Sequence, residues 1–127
     1  MTKIHALGRL DLKLLEKEFG KIQTAETIIT EERIQHILAH HPLDYPFLRT
    51  YGKSIISAPD FIVKDLTHTG TIFMIKKIEN SNLNIIIRLV LETEHPQLKN
   101  SVMTFFRIRN RNLKKLIEKN TLLYKKE

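Results

Sequence analysis

Residues 83–91 constrain the fold more than any other stretch of the chain. They read Leu83-Asn84-Ile85-Ile86-Ile87-Arg88-Leu89-Val90-Leu91. β-Branched side chains of this kind favour a pleated strand. At a period of two, Leu83, Ile85, Ile87, Leu89 and Leu91 share one face, and Asn84, Ile86, Arg88 and Val90 share the other. Both faces are largely apolar, which places the strand in the middle of a sheet. Arg88 is the anomaly: a guanidinium inside a β-branched run serves either as a salt-bridge partner at the sheet's open face or as a phosphate clamp. Residues 71–78 form a strand before it, and Asn80-Ser81-Asn82 supplies the turn of a hairpin. Phe61-Ile62-Val63 is a shorter strand that follows turn chemistry at Ser57-Ala58-Pro59-Asp60. Beyond the break at His95-Pro96-Gln97, residues 101–108 make a further strand, with Val102, Thr104, Phe106 and Ile108 on one face.

Upstream the periodicity is helical. Residues 10–20 read as a short amphipathic helix with Asp11 as cap and Gly20 at its end. Thr27-Ile28-Ile29-Thr30 is a brief extended segment. Thr30 then stands as N-cap to a helix over 31–41, with Glu31 and Glu32 suited to the first turn. Pro42 ends that helix, because it pushes His41 out of the α region. Phe47, Leu48 and Tyr51 pack at helical spacing, and Gly52 stops that turn. Residues 112–120 give a last helix with a basic outer face. The expected fold is therefore α+β: N-terminal helices packed on a roughly four-stranded antiparallel sheet, in one domain over residues 1–127.

The helix over 31–41 carries the chemistry. Arg33, His36 and His40 fall on one face, and Ile34, Ile37, Leu38 and His41 on another. Three fates are open to these histidines. His36 and His40, at i and i+4, can share a metal ion, with Asp44 or His68 as a third ligand. Each can instead be a packed, hydrogen-bonded structural histidine. Or they can move protons. RNA brings its own nucleophile, the 2′-hydroxyl, so an enzyme need only remove that proton, stabilise charge on phosphorus and protonate the departing 5′ oxygen. Histidine, with a pKa of about 6.5, manages either transfer near neutral pH. Arginine, lysine or a hydroxyl stabilises the phosphate oxygens. Arg33, His36, His40 or His41, Lys76, Arg88 and Thr104 are the right residue types.

Charge points the same way. The formal charge is +7, and such a balance favours a polyanionic partner: RNA, DNA, an anionic membrane surface or an acidic protein. Residues 107–126 carry Arg107, Arg109, Arg111, Lys114, Lys115, Lys119, Lys125 and Lys126 against Glu118. Charge runs are commonly solvated faces. Here the run is interleaved with Phe105, Phe106 and Tyr124, a combination suited to tracking phosphates while stacking bases. The chain has no cysteine, which excludes disulfides and cysteine-based zinc sites. No apolar run approaches the ~20 residues needed to span a bilayer, and residues 1–8 lack a signal-peptide core.

The pattern Thr30-Glu-Glu-Arg33-Ile-x-His36-Ile-x-x-x-His41-Pro42-x-Asp44-Tyr45, then Ala58-Pro59-Asp60-x-Ile62, then Asn100-Ser-x-x-Thr104-Phe, and a closing Leu123-Tyr124-Lys125 resembles the phage-associated barnase–EndoU–colicin–RelE-like (BECR-type) nucleases. The resemblance spans most of the chain from about Gly8. It implies a BECR-like RNase fold and a metal-independent endoribonuclease without cofactors. It further implies a bacterial or phage toxin effector acting in the bacterial cytoplasm, delivered as part of a larger protein. RNA, tRNA among the candidates, would be the substrate, cut to a 2′,3′-cyclic phosphate. An acidic immunity or antitoxin protein would be the partner. Its site residues map to Arg33, His36, His41 and Thr104, so it favours His41 where helical spacing pairs His40 with His36. Arg88, Lys76, Arg107, Tyr124 and Lys125 are the expected RNA or phosphate contacts. The alternative is a non-catalytic RNA- or protein-binding module on a degenerate nuclease scaffold.

Overall fold

The computed structural model describes residues 3–127. Met1 and Thr2, the start of the segment read for a leader, lie outside the described residues. In chain order the elements are β1 (Ile4–Arg9), α1 (Leu12–Phe19), β2 (Glu26–Thr30), α2 (Glu31–His40), α3 (Tyr45–Ser57), β3 (Phe61–Lys64), β4 (Thr71–Ile78), β5 (Ser81–Arg88), β6 (Asn100–Ile108), α4 (Asn110–Lys119) and β7 (Thr121–Lys125). No helix among the described residues is long and apolar enough to cross a membrane.

The four-stranded antiparallel sheet is corrected to a seven-stranded mixed one, ordered β1-β2-β6-β5-β4-β3-β7. The expected strands form its middle, β6-β5-β4-β3, and all pair antiparallel. Three further strands extend the edges. β7 pairs antiparallel with β3, and β1 with β2. β2 joins β6 in parallel, through Thr27↔Asn100 and Ile28↔Ser101. Nor do the helices all precede the sheet, since α4 lies between β6 and β7. This architecture also departs from the BECR-like fold that the resemblance implied. The edge strands escaped the sequence reading because neither is strongly apolar: β1 and β7 are exposed or half-buried along their whole length.

Two apolar layers flank the sheet. Helices α1, α2 and α3 cover one face, where Leu15, Ile37, Ile55 and Ile56 meet Met74, Leu83, Ile85, Ile87 and Phe105. On the other face Leu113 of α4 packs with Val63, Phe73 and Ile75. Strands β4 and β5 are thus central and buried on both sides, as their composition requires. β5 nevertheless stops at Arg88 instead of running to Leu91. Gly70 O takes the Leu89 N–H, and the side chain of Asn100 takes that of Val90, so these backbone donors leave the ladder. Arg88 is accordingly a strand-end residue and not a charge buried mid-strand.

Gly52 does not stop a helix either. It sits buried within α3, and a Cβ there would meet Leu7 Cδ1 at 3.0 Å and Leu48 Cδ1 at 3.3 Å. The missing side chain lets β1 lie close against α3. The face assignment in β6 also changes. Ile87 pairs with Val102 but Ile86 pairs with Thr104, so Met103 is a bulge. An extra residue reverses the alternation. Val102 therefore points into the layer under the three helices, while Thr104, opposite Ile86, takes the α4 side.

Candidate functional site

The site is built where α2 hands the chain to α3. The Thr30 hydroxyl accepts the Arg33 N–H at 3.2 Å and fixes the start of α2. The helix ends as Pro42 demands: His41 leaves the α region with φ −137°, ψ 56°, while its N–H still bonds Ile37 O. The His41 carbonyl then accepts from Asp44 N and Tyr45 N, which closes a tight turn into α3.

Asp44 occupies the N-cap position of α3, yet its carboxylate makes no cap hydrogen bond. It is spent on β6 instead. Arg107 Nε donates to Asp44 Oδ1 at 2.6 Å, and Arg107 N donates to Oδ2 at 3.3 Å. His41 Nδ1 stands 4.0 Å from the same Oδ2, an electrostatic neighbour beyond hydrogen-bond range. The His41 ring stacks on Phe106, with centroids 5.1 Å apart. The Arg107 guanidinium lies over Phe47, 4.5 Å from its centroid, a cation–π contact. One carboxylate thus organises an imidazole and a guanidinium, each backed by an aromatic ring.

A cavity of about 460 Å³ opens beside Asp44 and Arg107, lined also by Asn80, Asn82, Arg109 and Asn110 among others. Asn82 Nδ2 donates to Ile108 O and to Asn110 Oδ1, which holds the polar wall in place. Arg109 makes no ion pair among the described residues. The strand edge next to the site is open, because β2 pairs with β6 only at Asn100 and Ser101. Among the described residues the remainder of that edge, including Phe106, has no strand neighbour beyond it.

His36 and His40 form a second group on the exposed side of α2, with ring centroids 4.4 Å apart. Helical spacing and the motif therefore each describe part of the arrangement: His40 goes with His36, and His41 goes with β6. Arg33 is half-buried on α2. Thr104 lies on the same strand face as Phe106, two residues away, or about 7 Å along the strand. Among the described residues no three His, Asp or Glu side chains are grouped to hold a metal ion.

The other expected phosphate contacts are dispersed. Lys76 Nζ donates to Ala58 O at 2.6 Å and closes the end of α3. Arg88 pairs with Glu94 at 3.4 Å at the far end of β5. Tyr124 and Lys125 sit on β7, which is four strand spacings from β6, or about 19 Å. Of the residues named from sequence, the fold gathers His41 and Arg107 directly, whereas Thr104, opposite Ile86, faces the α4 side of β6 and Arg107, opposite Leu83, faces the other. Phe47, Asn82 and Asn110 carry the site without having been singled out for it, while Asp44 was named as a possible metal ligand and Arg109 within the basic run. For Asp44 a signal was present, since it stands three residues after His41 beyond a proline. No family model, curated protein or solved structure matches the chain.

Proposed function

We propose that the chain is a metal-independent endoribonuclease whose site lies at the α2–α3 turn and the open end of β6. The observation that carries this reading is the shared carboxylate: Asp44 fixes Arg107 and neighbours His41, so a proton-transfer group and a phosphate-binding fork are held in register. In the reaction His41 removes the 2′-hydroxyl proton, and the oxygen attacks phosphorus. Arg107, with Arg109 beside it, stabilises the phosphate oxygens. The P–O5′ bond breaks, and an imidazole of the His36–His40 pair protonates the departing 5′ oxygen. A 2′,3′-cyclic phosphate and a 5′-hydroxyl remain.

The experiment is incubation of total RNA with the purified chain in excess EDTA. Cleavage with cyclic-phosphate ends supports the proposal, and RNA left intact, or cut only after divalent metal is added, sinks it. His41→Ala should lower the rate roughly 10²- to 10⁴-fold, the usual worth of one general acid or base. Asp44→Asn should lower it less, since the amide oxygen still accepts from Arg107. The wider reading, a toxin neutralised by an acidic protein and acting in the bacterial cytoplasm, predicts growth arrest on expression, relieved by His36→Ala.

The second reading, a non-catalytic RNA-binding module, draws support from the dispersal of Lys76, Arg88, Tyr124 and Lys125 away from the histidines. It predicts RNA affinity that falls steeply with salt, with no turnover.

A further inference from the structure

A separate pocket lies on the α4 side of the sheet, at the end of β4, β5 and β6 remote from His41. Its volume is about 530 Å³, within the range of small-molecule sites. Phe73, Ile86 and Met103 make an apolar floor, and Asp65, His68, Thr69, Thr71 and Arg88 surround it. Met103 reaches this floor because it is the bulge residue of β6.

The polar end is built. The Asp65 side chain is only 8% exposed. Its Oδ1 accepts from Thr67 N and His68 N, and its Oδ2 contacts His68 Nδ1 at 3.0 Å. That contact orients the ring and leaves Nε2 free, on a side chain 73% exposed. Arg88 meets Glu94 through one long contact of 3.4 Å, so most of its donor fork is uncommitted. Along β5, Arg88 and Ile86 are two residues apart on one face, or about 7 Å. One end therefore holds the Arg88 guanidinium, the His68 imidazole and two hydroxyls, with the Asp65 and Glu94 carboxylates turned to His68 and Arg88, and it sits a nucleoside's length from a flat apolar end.

We propose that this pocket binds a nucleotide, with phosphate at Arg88, His68 and Thr69 and the base over Met103, Ile86 and Phe73. The assignment follows from the lining alone and does not rest on RNA cleavage at His41. Arg88 is about 14 Å along β5 from Asn84, the cross-strand partner of Phe106, too far to share one phosphate with His41. The same chemistry is offered by a free nucleotide or by one unit of a strand crossing the open face.

The test is NMR titration of the whole chain with adenosine monophosphate, adenosine and inorganic phosphate. Adenosine monophosphate should shift the Met103 methyl and bind at least about tenfold tighter than either fragment, because both ends are engaged. His68→Ala and Arg88→Gln, both at exposed side chains, should each weaken it about fivefold or more, and His41→Ala should leave it unchanged. A monophosphate that binds no tighter than adenosine, or leaves Met103 unmoved, or binds the His68 and Arg88 variants as well as the parent, overturns the proposal. A 5′-phosphorylated triadenylate identifies the source: affinity equal to the monophosphate assigns a free nucleotide, and higher affinity assigns a strand, both supporting the subsite.

Discussion

Asn100→Ala should cost this protein a large share of its stability. Asn100 is fully buried and stands where β6 meets β2 in parallel. Its Nδ2 donates to Thr24 O at 2.7 Å and to Glu26 O at 2.9 Å, and its Oδ1 accepts from Val90 N at 2.9 Å. One side chain therefore ties β2, β6 and the segment after β5. Only two residue pairs join β2 to β6, so the side-chain bonds are a substantial part of that junction. Truncation orphans three backbone groups. An unsatisfied buried group costs about 1–3 kcal/mol. Val90 N is buried and falls in that range, while the two carbonyls are partly buried and fall near its lower end. The sum is about 3–5 kcal/mol, against a total stability of about 5–15 kcal/mol for a domain. Urea denaturation followed by far-UV circular dichroism measures it. A loss below about 1 kcal/mol would refute the reasoning, because it would mean that water or rearranged backbone satisfies all three groups. At a temperature where the variant is still folded, the RNA cleavage proposed for the α2–α3 site should be unaffected, since Asn100 holds the fold and does not touch that site.

Other outcomes follow from single contacts. Thr30→Ala removes the cap of α2 and should cost about 1 kcal/mol by the same denaturation assay, while Thr30→Ser should recover most of it. Gly20→Ala should cost about 1–3 kcal/mol, because φ +79° with ψ −166° is a glycine-only conformation and no neighbour lies within 4 Å to compensate by packing. Glu26 and Glu31 titrate below the ordinary carboxylate range, chiefly through hydrogen bonds from Lys99 and from His5. Lowered folded pKa values mean that these pairs contribute fully above the ordinary carboxylate value and lose that contribution as pH falls through the lowered ones. In Lys99→Ala, the Glu26 carboxyl resonance should titrate at a higher pH than in the parent, and an unchanged midpoint would remove the assigned cause.

Local sequence signals read well where the deciding interaction was local. Thr30 caps α2, Asp11 accepts from Lys13 N at the start of α1, and Pro42 ends α2. The β4–β5 hairpin was legible, but its turn is Glu79-Asn80 and not Asn80-Ser81-Asn82, since Ser81 and Asn82 already pair with Ile78 and Lys77 in the ladder; the central position of β5 was legible from its two apolar faces. The reading failed where a local rule met a non-local contact. Gly52 looked like a helix stop and is a contact surface for Leu7. Thr104 was placed with Val102 until Met103 bulged out between them. β1 and β7 carry too little apolar patterning to announce themselves, and their strand state comes from neighbours that offer a free edge.

For the site, the sequence by itself determined the residue types and the turn that carries them: a capped helix, three histidines, a proline stop and Asp44 just beyond it. Those depend on φ, ψ and hydrogen bonds within a few residues. Only the tertiary structure decided which histidine goes where. His41 meets Phe106 across 65 residues of sequence, and Asp44 meets Arg107 across 63. It also separated Tyr124 and Lys125 from the histidines, because β5, β4 and β3 stand between β6 and β7. Periodicity assigns a residue to a face of its own element. Strand order assigns it to a place in the molecule, and that order is set by which sheet edges remain unpaired when the core has closed.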